Sequence, residues 1–129
     1  MASRPTHFEI YGDDPEALAA FYGKMFGWRI ERVEGLDYWR IHTDPEETAG
    51  VAGGITRPPR SNPGGWLQFV NTEAIDRSIA EAMEMGAVVV RPKTAVPRTA
   101  WVAVLADPAG NHFAIWQPDA NAFPIPEPG

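Results

Sequence analysis

Cysteine is absent from the 129 residues, which removes disulfides, thiolate nucleophiles and cysteine-ligated zinc or iron–sulfur centres together. Positive charge is scarce. Against 17 Asp and Glu stand only 11 Lys and Arg, leaving a net charge of −6. That balance argues against nucleic acid as a partner, because a phosphate backbone needs a basic surface. No apolar run approaches the roughly 20 residues that cross a bilayer, so no membrane partner is expected either. The opening residues Met1-Ala2-Ser3-Arg4-Pro5-Thr6 lack the apolar core of a signal peptide, and the expectation is a cytoplasmic protein. Phosphate loops, nucleophile elbows and dinucleotide-binding glycine fingerprints are also missing. Gly53-Gly54 follows a strand but opens no helix, so a close backbone approach or tight bend explains the pair better than phosphate binding.

What is present is an ordinary globular composition, 44% hydrophobic and 22% charged, in a length that suits one domain. Residues 6–11 alternate polar and apolar, as a half-buried strand does. Asp14 and Pro15 then supply a helix cap and a first helical residue. Leu18, Phe21, Tyr22, Met25 and Phe26 follow at helical spacing, and Gly27 suits a left-handed helix end. Three short strands are predicted over 28–33, 37–42 and 49–55. The pattern recurs with a strand at 66–70, a cap at Asn71 or Thr72, and a helical stripe of Ile75, Ile79, Ala82 and Met83 closed by Gly86. Strands around 87–90, 101–105 and 112–117 complete it.

The chain therefore reads as an α+β fold of two βαβββ modules, since two copies are too few for a solenoid. Module one is expected over 5–56, a proline-rich linker over 57–65 and module two over 66–117, within a single domain ending near 120. A proline-rich tail, 118–129, follows. In each module a helix should cover one face of a curved sheet and leave a concave face free. Strand alternation then predicts Phe8, Ile10, Leu67, Phe69, Phe113 and Ile115 under the helices. On the concave side it predicts His7, Glu9 and Tyr11 from the first strand, Trp66, Gln68 and Val70 from the fifth, and His112, Ala114 and Trp116 from the last. Aromatic walls with a few polar anchors are characteristic of small-molecule pockets. The same rings would also serve a core or a dimer interface. Glu9 on a partly enclosed face needs a partner, be it an arginine, a backbone amide or a ligand.

The segment Asp107-Pro108-Ala109-Gly110-Asn111 leading into His112–Gln117 resembles the last-strand signature of the glyoxalase/bleomycin-resistance/dioxygenase (vicinal oxygen chelate) superfamily. Asp14-Pro15, Phe21-Tyr22, Phe26-Gly27-Trp28 and Gly53-Gly54-Ile55 extend the resemblance from His7 to Gln117. The resemblance implies a homodimer. For the metal-using members it implies a divalent ion held by His, Glu or Gln from the first, fourth, fifth and eighth strands. Those positions fall here at His7, at Gly53 or Gly54, at Trp66 and at Ala114. One imidazole does not hold zinc, iron or nickel, which need three or four donors. The expectation is thus a protein without metal or other cofactor that binds a small, partly aromatic molecule. Tyr11, Trp66 and Trp116 would stack on it, and His7, Glu9, Gln68 and His112 would orient it. Two alternatives stay open: a displaced metal site built from His7, Glu9, Gln68 and His112, and metal-independent acid–base chemistry among His7, Glu9 and His112. His42, the third histidine, is expected at a surface-facing strand end.

Overall fold

The computed structural model describes residues 5–43, 52–58 and 65–123, so the expectations placed on 44–51, the interior of the linker and the last six residues lie outside the described residues. In chain order the elements are β1 (Pro5–Tyr11), α1 (Pro15–Phe26), β2 (Arg29–Arg32), β3 (Tyr38–His42), β4 (Ala52–Thr56), β5 (Gly65–Asn71), α2 (Ile75–Glu84), β6 (Val88–Val96), β7 (Ala100–Ala106) and β8 (His112–Pro118). Two compact units emerge, a first spanning Thr6–Gln68 and a second from Phe69 onward, with the division falling inside β5. No helix among the described residues is long and apolar enough to cross a membrane.

In the first unit the strands run in the order β2-β3-β4-β1, with β1 and β4 parallel and the other neighbours antiparallel. The second unit repeats this plan as β6-β7-β8-β5, again with its one parallel pair between the outermost and the last strand. The βαβββ repeat expected from the spacing is the observed α+β architecture.

Helix α1 forms where the capping residues require it. The Asp14 carboxylate accepts from the Ala17 amide at 3.1 Å, Pro15 occupies the first turn, and Gly27 closes the helix at φ 70°. Leu18, Ala19 and Tyr22 pack on Phe8, Ile10, Ile41 and Ile55, the core of the first unit. The rest of the expected stripe does not go inward. Phe21, Met25 and Phe26 are all more than half exposed. The rings pile on one another instead, Phe21 edge-on to Tyr22 and Phe26 against Trp28, each at 5.0 Å.

In the second unit Ile75, Ile79 and Ala82 of α2 cover Ala103, Leu105, Phe113 and Ile115. The expected cap at Asn71 or Thr72 takes another form. Ala74 is the capping residue and has no side-chain acceptor. Gln117 of β8 fills that role by accepting the Ile75 amide at 2.8 Å, and the Thr72 hydroxyl accepts from Ala74. The turn before β8 is organised by Asp107, whose carboxylate accepts from the amides of Ala109 and Asn111 and from the Asn111 side chain. Beyond β8 the chain is fastened to the β6–β7 hairpin: Asp119 accepts from the Trp101 indole at 3.0 Å, and Arg98 donates to the Ala122 carbonyl.

Candidate functional site

Register decides which side chains share a face, because partners across a ladder point the same way. In the first unit Glu9, Gly54, Arg40 and Glu31 form one row across β1, β4, β3 and β2. Tyr11, Thr56 and Tyr38 form the next. These rows lie opposite the face that carries Phe8, Ile10, Ile41 and Ile55 under α1. His7, Glu9 and Tyr11 thus share the helix-free face, as the alternation of the first strand predicted.

The centre of that face is a carboxylate held by two phenols. Tyr11 donates to one Glu9 oxygen at 2.6 Å, and Tyr38 donates to the other at 2.9 Å. Glu9 has therefore found its partners within the unit, and they are tyrosines rather than an arginine or a backbone amide. Each carboxylate oxygen has a second lone pair, and the Tyr38 phenol oxygen has lone pairs of its own. Burial, reinforced by the Glu9 carboxylate, pushes the Tyr38 phenol above its usual range, while the Arg40 charge pulls the other way. Tyr38 is thus a neutral donor under all ordinary conditions. His7, whose Nδ1 lies 2.9 Å from the Thr6 hydroxyl, is pushed down to about 4 by burial. At neutral pH it presents a neutral imidazole suited to orienting a polar ligand group, and it is a weak proton acceptor.

The glycine pair has a steric explanation on both faces. A Cβ on Gly53 would meet the Phe8 ring at 2.7 Å, and one on Gly54 would meet the Tyr38 hydroxyl at 1.9 Å. The missing side chains let Phe8 cross β4 on the helix side and Tyr38 cross it on the other to reach Glu9. Of the two candidates for the fourth-strand position, Gly54 is the one on the site face.

The fifth strand runs in the opposite phase to the expectation. Trp66 stacks on Phe8 at 5.2 Å and meets Tyr22 edge-on at 5.7 Å, which places it on the helix-covered face of the first unit. Gln68, exposed, shares that side of the strand by alternation. Phe69, expected under a helix, pairs with Ala114 and lies edge-on to Trp116 at 6.1 Å on the helix-free face of the second unit. The alternation of Leu67 and Phe69 was a real signal, but both are buried, at 2% and 5% exposure, and an apolar residue does not say which face buries it. The last strand follows expectation, with Phe113 and Ile115 under α2 and His112, Ala114 and Trp116 on the other face.

Tyr38 and Arg40 were missed in the sequence. Their signal was available in β3, where Tyr38, Arg40 and His42 alternate with the apolar Trp39 and Ile41.

The positions used by metal-holding relatives do not suit a metal here. Gly54 is overlaid by Tyr38, and Ala114 is fully buried without a donor atom. Among the described residues no three His, Cys, Asp or Glu side chains gather as a metal site. Among the described residues the donors at these positions are fewer than the three or four that a divalent ion takes.

Residues 8–116 match the Glyoxalase-like domain family. The chain is 28% identical over 127 residues to an anthracycline biosynthesis protein, DnrV, of Streptomyces peucetius, covering 88% of this chain and 46% of that protein. It thus spans about half the length of that relative. Among solved structures it resembles a glyoxalase/bleomycin resistance protein/dioxygenase superfamily member from Vibrio splendidus, with a TM-score of 0.64 and 14% identity over 90% of this chain and 99% of that one. It also resembles a methylmalonyl-CoA epimerase of Streptomyces coelicolor solved with 2-nitronate-propionyl-CoA, with a TM-score of 0.60 and 18% identity over 96% and 100% of the two chains. At those identities the likeness shows the fold. The family match covers most of the chain, and the protein belongs to the glyoxalase-like domain family.

Proposed function

We propose that this chain binds a small, partly aromatic organic molecule on the helix-free face of its first unit, without a resident metal. The observation that carries the reading is the Glu9 carboxylate clasped by Tyr11 and Tyr38 beside a neutral His7. A preorganised acceptor flanked by two phenols recognises hydroxyl, phenol or amide donors at low entropic cost, because its geometry is set before the ligand arrives. The likeness to an anthracycline biosynthesis protein supports an aromatic ligand. In the second unit, the Trp116 ring beside Phe69 and the His112 imidazole remain proposed contacts on that unit's own helix-free face.

The test is calorimetric titration with a hydroxyanthraquinone lacking any carboxylate or phosphate. Saturable binding is expected, weakened about tenfold by Glu9→Gln and by Tyr38→Phe, the cost of one hydrogen bond to a charged or buried group. Both variants should keep the native circular dichroism spectrum. Affinity unchanged in both variants, or no saturable binding, would overturn the reading.

A further inference from the structure

The clasp at Glu9 offers a ligand acceptors and a negative charge. Both phenol protons are engaged with the carboxylate, Tyr11 at one oxygen at 2.6 Å and Tyr38 at the other at 2.9 Å. What the clasp holds for a further group is lone pairs, a second one on each Glu9 oxygen and those of the Tyr38 phenol oxygen. Its charge is not cancelled. The two phenols are neutral, and among the described residues no lysine, arginine or histidine is paired with Glu9. His7 on the same face is neutral at neutral pH. Arg40 stands one ladder position beyond Gly54, where its charge reaches the Tyr38 phenol, but it forms no ion pair with Glu9. Hydrogen bonds hold a half-buried carboxylate in place, yet only a cation neutralises it. The net charge of −6 adds to the field that draws a cation in.

Both properties select the same ligand group. A hydroxyl brings one proton and two lone pairs, and neither phenol has a proton left for those lone pairs. A primary ammonium brings three N–H donors and no acceptor. That set matches the two carboxylate oxygens and the Tyr38 oxygen, and it cancels the charge. Resting on the ligand reading above, we infer that the bound molecule is an aromatic amine whose protonated primary amino group donates to Glu9 and Tyr38.

Calorimetric titration at neutral pH tests this with three probes of one ring system: 2-naphthylmethylamine, 2-naphthylmethanol and the trimethylammonium analogue of the amine. The amine is expected to bind about tenfold more tightly than the alcohol, the gain from charge-assisted bonds. The trimethylammonium compound keeps the charge but has no N–H, so most of that gain should be lost. This comparison needs no variant. Glu9→Gln should bring the amine down to the affinity of the alcohol. Glu81→Gln, at the exposed Arg77–Glu81 pair of α2, should leave the preference intact. Equal affinity of the amine and the alcohol, equal affinity of the amine and its trimethylammonium analogue, a preference that survives Glu9→Gln, or no binding of the amine would each overturn the inference. Saturable hydroxyanthraquinone binding without an amine preference would overturn it alone, whereas failure of every compound to bind would remove the aromatic-ligand reading with it.

Discussion

Two adjacent glycines carry different burdens in this molecule, and substitution separates them. The ring facing Gly53 belongs to Phe8, a core residue packed under α1. A methyl group there has nowhere to go, and overpacking of a core costs about 1–3 kcal/mol. The atoms facing Gly54 are the far end of the Tyr38 side chain, on the opposite face. Tyr38 would yield by swinging away, at the expense of its bond to Glu9. Gly53→Ala is therefore expected to lower the urea midpoint more than Gly54→Ala, whose stability cost should be near the ~1 kcal/mol of one lost hydrogen bond. Ligand affinity should respond in the reverse order, falling in Gly54→Ala toward the level of Tyr38→Phe. Adding Gly54→Ala to Tyr38→Ala should then cost almost nothing further, because the collision has been removed. A full additive cost in that double variant would mean that Gly54 is required for the backbone and not for the tyrosine.

At the scale of the element, helix α2 shows how local signals and tertiary ones divide the work. Its first turn has an alanine at the cap, and the donor that a side-chain cap would satisfy is taken by Gln117 from β8. Gln117→Ala leaves the Ile75 amide without that acceptor at a buried residue, and the expected loss is about 1–2 kcal/mol, read as a lower urea midpoint with unchanged slope. Gln117→Glu, which keeps an acceptor oxygen, should recover most of the loss; equal damage from both would show that packing rather than capping is responsible. No pattern around α2 could have announced this contact, because it joins residues 42 positions apart. By contrast α1 was legible to the residue, since Asp14, Pro15 and Gly27 act through bonds inside their own turn. Strand β1 was legible because its polar and apolar residues alternate. Strand β5 was not, because its apolar residues are buried on the side away from the helix and Trp66 packs with Phe8 beneath it. The site suffered the same division: His7, Glu9 and Tyr11 could be placed from one strand's alternation, while Tyr38 needed the β3–β4–β1 register to be brought to Glu9.

For the whole molecule, family membership and chemistry separate. The βαβββ repeat, the Asp14 cap of α1 and the Asp107–Asn111 turn are features that build the fold, and all are present. The positions at which the resemblance implies a metal are separate from them: His7, Gly54 and Ala114 lie on faces the helices leave uncovered, and only Trp66 is on a covered one. Of those positions His7 alone keeps a donor; Gly54 gives its space to Tyr38, Trp66 is a ring stacked on Phe8, and Ala114 is buried. A His7–Glu9 pair remains, but both Glu9 oxygens already accept phenol protons, and two donors are fewer than a tight site needs. The expected outcome of equilibrating the protein with excess zinc, nickel or manganese and then dialysing it is metal well below one ion per chain by elemental analysis. The same ions should leave the thermal midpoint where it was. An ion present at a hundred times its dissociation constant would add about 2.7 kcal/mol to the folded state, which for a chain of this size is a shift of several degrees and not easily missed. Stoichiometric metal that survives dialysis and disappears in His7→Ala would sink the metal-free reading and return the clasp of tyrosines to a supporting role around an ion.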